Sequence, residues 1–166
     1  MNNLVHIFRF AVLAALQVII LNNIQFLGYV NPYLYIYFIL LLPFEVPKWL
    51  LLIVSFAMGL IIDVFSMSIG IHAFACVFVA FCRPFIINLL VSGRETEQKI
   101  APTIHDMGFR WFITYTLFIV FIHHSLIFFL ELYRLDEIFN VLLRILLSAS
   151  FTTLLVITVQ YLFYRK

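Results

Sequence analysis

The run GLIIDVFSMSIG, residues 59–70, sets a carboxylate, Asp63, inside a stretch otherwise apolar enough for a membrane helix. A charged side chain at the centre of a bilayer costs at least about 2.5 to 3.5 kcal/mol, so such a residue faces protein or water and marks a function or a helix contact. Upstream the apolar run extends back to Lys48. Residues 48–66 therefore have the length of a spanning helix, which needs about 20 residues to cross a hydrocarbon core of about 30 Å.

The rest of the chain has the same character. Of its 166 residues 65% are hydrophobic and only 11% charged, 20 of them are Phe, and the mean hydropathy is +1.13. A soluble domain of this size carries about 25% charged residues, and no soluble core of that size buries so much Phe, Leu and Ile without leaving large apolar patches. The sequence predicts an all-α, polytopic membrane protein of one domain, 1–166. A net charge of +2, scattered along the chain, excludes the clustered basic face of a nucleic-acid binder. Cys76 and Cys82 are about 9 Å apart along one helix, too far for a disulfide within it, and read as packing residues.

Six spans are predicted, at 4–21, 33–46, 48–66, 69–90, 109–132 and 138–163. The first keeps Arg9 inside its apolar run with no small-x-small site after it, and reads as a helix and not as a cleaved signal peptide. The second is short: it starts after Asn31-Pro32 and closes at Pro43 and Pro47, so five spans plus a re-entrant segment is the alternative. With six spans and an inside amino terminus, Lys48, Arg94, Lys99, Arg110, Arg165 and Lys166 fall on the cytoplasmic side and only Arg134 outside. This is the bias of a protein with both termini cytoplasmic. Tyr29, Tyr33, Trp49, Trp111, Tyr133, Tyr161 and Tyr164 fall near span ends, where an interfacial belt sits. The mixed-charge stretch 92–108 reads as a solvated connector or as a docking surface for a cytoplasmic partner.

Polar residues within the spans are the candidate site. Ser55, Gly59, Asp63 and Ser66 form one small, polar stripe that lets another backbone approach, with Asp63 either making a helix contact or simply capping the helix end. Arg144, Ser148 and Thr152 share a face of the last span, and Arg144 lies at a depth comparable to Asp63. An Asp63–Arg144 ion pair is the expectation. Gln17 deep in the first span needs a hydrogen-bond partner from elsewhere. Arg83, followed by Pro84, is expected to snorkel or mark a bend. His123 and His124 point about 100° apart on a helix, and even with His72 they lack a His-Glu-x-x-His zinc arrangement. No nucleophile elbow, paired catalytic carboxylates or phosphate loop is present, so neither an enzyme nor a cofactor is predicted.

The Gly59-x-x-x-Asp63 element with Gly70 downstream, preceded by Asn31-Pro32 and by Leu16-Gln17, resembles the MreD family of bacterial rod shape-determining proteins. The resemblance extends over the whole chain, in size, span arrangement and basic carboxyl terminus. It implies a six-helix fold similar to the S components of vitamin transporters. It also implies a non-catalytic inner-membrane subunit of the cell-elongation, peptidoglycan-synthesising complex. Such a subunit binds a single-span MreC-like protein and, through it, MreB, RodA and a penicillin-binding transpeptidase. Gln17, Pro32, Ser55, Gly59, Asp63, Gly70, Arg144 and Ser148 are then structural or partner-binding positions. The alternative is a small-molecule-binding transport component, with Asp63, His72 and Arg144 lining an outward pocket.

Overall fold

A computed structural model describes residues 3–24, 30–91, 101–132 and 137–163. Residues 92–100 of the charged connector, Tyr29, Tyr133, Arg134, Tyr164, Arg165 and Lys166, all used in the sequence reading, lie outside the described residues. The protein is an all-helical, multi-pass membrane protein. Among the described residues five helices are long and apolar enough to cross a bilayer: α1 (Asn3–Ile19, continued by a 3-10 turn at Leu21–Asn23), α3 (Lys48–Ser66), α4 (Ile71–Leu90), α6 (Phe109–Leu130) and α7 (Ile138–Phe163). Two helices are short, α2 (Ile36–Leu41) and α5 (Ile104–Met107).

Helix α3 packs on α4, α4 on α6, α6 on α7, and α1 on α3. The outer faces of this bundle are greasy. Ile53, Phe56, Leu60 and Val64 on α3 and Phe74, Phe78, Phe81 and Phe85 on α4 point away from the core at the three- and four-residue spacing of a helix face. Lipid is the solvent such a surface requires. Within the charged connector, Thr103 caps α5 by accepting from the Asp106 N–H and donating to its carboxylate, and Gly108 turns the chain into α6 at φ 83°.

The second predicted span, 33–46, has a different form. The Asn22 amide donates to the Ser66 hydroxyl, so the carboxyl-terminal ends of α1 and α3 adjoin. The chain between them must therefore return through the bundle to begin α3 at the far end. It does so with only six residues of α-helix, α2, and with Tyr33 and Leu34 entering in a non-helical turn. Pro32 and Pro43 bracket it, and both disfavour helix continuation. Every residue from Tyr33 to Leu42 is buried, and Tyr35, Ile36, Ile39 and Leu40 have no exposed surface at all. Irregular backbone at this depth is tolerated only where protein surrounds it, and here α1, α4, α6 and α7 contact the segment. Tyr33 consequently belongs to the core and not to an interfacial belt, whereas Trp49 and Tyr161 are exposed near helix ends.

Candidate functional site

The Gly59–Gly70 motif builds the α3–α4 turn. A Cβ on Gly59 would lie 2.5 Å from the Ala73 Cα and 2.5 Å from the His72 carbonyl oxygen, so the two helices meet backbone to backbone. One turn further on, the Asp63 carboxylate reaches across. Its Oδ1 accepts from the Ser68 hydroxyl at 2.5 Å and the His72 N–H at 3.0 Å, and its Oδ2 accepts from the Ala73 N–H at 2.8 Å. His72 and Ala73 are the second and third residues of α4, whose N-cap, Gly70 (φ 78°), has no side chain to satisfy them. Asp63 thus supplies from the preceding helix the oxygen that an N-cap residue supplies locally, and its charge meets the positive end of the α4 dipole. The turn needs two left-handed residues, Met67 (φ 53°) and Gly70.

The Asp63–Arg144 pair is not formed. The Asp63 oxygens are taken by three donors of its own turn, and the Arg144 guanidinium carbon lies 4.7 Å from the centroid of the Phe128 ring, a cation–π arrangement. A helix N-terminus meets the needs of the carboxylate with no partner cation.

The polar residues of α1 and α7 serve the broken segment. Its non-helical N–H groups have no helical partners, and three side chains take them. Ser148 accepts from the Asn31 N–H (3.0 Å), Thr152 from the Tyr33 N–H (3.2 Å) and the Gln17 carbonyl from the Tyr35 N–H (3.4 Å). The Gln17 NH2 donates to the Pro32 carbonyl and to Asn22, both at 2.9 Å, which completes the buried amide. At the other end of α2, Tyr115 donates to the Leu40 carbonyl (3.3 Å), while Arg83 donates to the Leu42 carbonyl and to the Tyr115 oxygen (2.8 Å). Arg83 is 2% exposed, so instead of snorkelling it clamps the end of α2.

Between these clamps lies a cluster that sequence reasoning missed. The Tyr35 hydroxyl sits 2.7 Å from His72 Nδ1 and 2.9 Å from His123 Nε2, donating to one ring and accepting from the other. His124 Nδ1 donates to the Val120 carbonyl, which leaves Nε2 to accept from the Thr152 hydroxyl (3.1 Å). The Tyr33 ring packs against His72, His123 and His124, with centroids 5.2 to 6.0 Å apart. A tyrosine hydroxyl separates His72 from His123, and among the described residues no three His, Cys, Asp or Glu side chains converge as metal ligands. The available signal was Tyr33, Tyr35 and Tyr37 within a short apolar run bracketed by prolines, three hydroxyls that need partners if the run is buried.

Above the cluster, at the Asp63 end of the bundle, a cavity of about 400 Å³ is lined by Asn22, Asn31, Ser68, His72, Glu131 and Arg144, among others. The predicted site residues therefore divide four ways. Gly59, Asp63 and Gly70 form the α3–α4 turn, Gln17, Pro32 and Ser148 hold the broken segment, and Arg144 stands in the cavity wall. Ser55 is buried on α3 with its hydroxyl unpartnered among the described residues. No protein-family model, curated protein or solved structure matches the chain.

Proposed function

We propose that this chain is a non-catalytic, MreD-type scaffold of the bacterial cell-elongation complex. In this reading it lies in the inner membrane with both termini cytoplasmic. It binds an MreC-like single-span protein and, through it, MreB, RodA and a penicillin-binding transpeptidase. The observation that supports the reading is the use made of the motif carrying the resemblance: Gly59, Asp63 and Gly70 are all committed to fixing α4 against α3. A motif of that kind shapes a surface and offers no group for catalysis. Lys48 and Arg110 begin α3 and α6 at one end of the bundle, in keeping with a cytoplasmic end.

Within this reading we propose a partner contact away from the small stripe. Because Gly59 faces α4 within the chain, the small stripe of α3 is not a groove for a foreign helix, and docking falls to the exposed face that carries Phe56 and Leu60. A photo-crosslinking residue at either position, in living bacteria, captures the MreC-like protein or the elongation synthase if the reading holds. Capture of an energising transport subunit, or of lipid alone, sinks it and favours the transport-component alternative.

A further inference from the structure

Glu131, at the end of α6, and Arg144, on the second turn of α7, line the same cavity, yet no ion pair joins them among the described residues. The guanidinium is held instead on the flat face of Phe128, which fixes its position without neutralising its charge. Among the described residues its Nε is buried without an acceptor, and the Oδ1 of Asn31, whose N–H bonds Ser148 one turn along α7 from Arg144, is buried without a donor. Opposite charges that flank a cavity and stay apart are complementary to a molecule that carries both signs. Asn22, Ser68 and His72 add neutral hydrogen-bonding groups to the walls. The volume, about 400 Å³, lies in the range of small-ligand sites.

We propose that this cavity binds a zwitterion, its anionic group on Arg144 and its primary ammonium on Glu131. That chemistry has two sources at a membrane surface: the headgroup of an ethanolamine phospholipid, or a free amino acid. The proposal rests on the cavity alone and not on the elongation reading. A test on the purified chain, with no partner present, can fail without touching that reading.

Ligand-observed saturation-transfer NMR on the full chain in neutral maltoside micelles tests it, with glycerophosphoethanolamine and L-alanine as zwitterionic probes and glycerophosphoglycerol as the anion lacking an ammonium. We expect at least one zwitterion to bind about tenfold more tightly than glycerophosphoglycerol, the equivalent of one charge-assisted hydrogen bond. In Arg144→Gln binding of that probe is lost. In Glu131→Gln the preference disappears and the zwitterion binds no better than glycerophosphoglycerol. Glu131 is at a helix end and only partly buried, so this second variant carries the test if Arg144→Gln fails to yield a monodisperse protein.

The source is read by native mass spectrometry from mixed ethanolamine and glycerol phospholipids. Retained ethanolamine phospholipid on the wild type, lost in Glu131→Gln, assigns the lipid; L-alanine binding with no such adduct assigns the free solute. Absence of binding by both zwitterions, equal binding of glycerophosphoglycerol, or binding unchanged in Glu131→Gln overturns the proposal.

Discussion

A methyl group at position 59 would press directly on the backbone of α4, with no flexible side chain to yield. Gly59→Ala should therefore destabilise the protein by about 1 to 3 kcal/mol, the usual cost of overpacking, seen as a lower midpoint in thermal unfolding in detergent. At Asp63 the arithmetic is one of acceptors. Asp63→Asn keeps one carbonyl oxygen but turns an NH2 towards an N–H that needs an acceptor, and a buried donor left unmet costs about 1 to 3 kcal/mol. Since the carboxylate serves its own turn, Asp63→Asn and Arg144→Gln should combine additively, to within about 0.5 kcal/mol in a double-mutant cycle. A larger coupling would falsify the capping account and restore the ion pair.

Among the elements, the segment from Asn31 to Leu42 depends most on its surroundings. Thr152→Val keeps the shape of the side chain but removes both the acceptor of the Tyr33 N–H and the donor to His124. It should accelerate hydrogen exchange at the Tyr33 amide while leaving amides in the middle of α3 protected, and a uniform change across both would argue against a local role. The long helices were legible because apolar length decides them: α3 and α7 occupy the residues that hydropathy assigns, 48–66 and 138–163. The short span was half legible. Pro32, Pro43 and Pro47 announced its limits, but its path depends on donors and acceptors from 15 to 119 residues away, which no local pattern carries. For the same reason the sequence marked Gln17 and Ser148 as polar residues needing partners and could not name them. Arg83 was misread because snorkelling is the usual solution for a cation near a helix end, whereas here the unmet Leu42 carbonyl and Tyr115 provide a buried one.

At the scale of the whole molecule, the proposed topology, drawn from the charge bias, would put the Lys48 end in the cytoplasm and the Asp63 end outside. Met67 is 94% exposed at the latter and Trp49 is 65% exposed at the former. On a Cys82→Ser background, Met67→Cys should react with a membrane-impermeant maleimide in intact cells, and Trp49→Cys only after permeabilisation. The reverse pattern would invert the topology. The bonding of the broken segment also sets an order of assembly. The α3–α4 hairpin carries its capping carboxylate and its contact glycine within one continuous stretch, so it is complete as soon as those two helices leave the insertion machinery. The N–H groups of Asn31 and Tyr33 find acceptors only on α7, 117 and 119 residues later. Until that final helix arrives, lipid offers them nothing, and the segment is better placed at the water interface. The segment from Asn31 to Leu42, made before α3, is thus among the last to reach its native place, and a nascent chain stalled before α7 would display to the cell the very residues that the finished protein hides most completely.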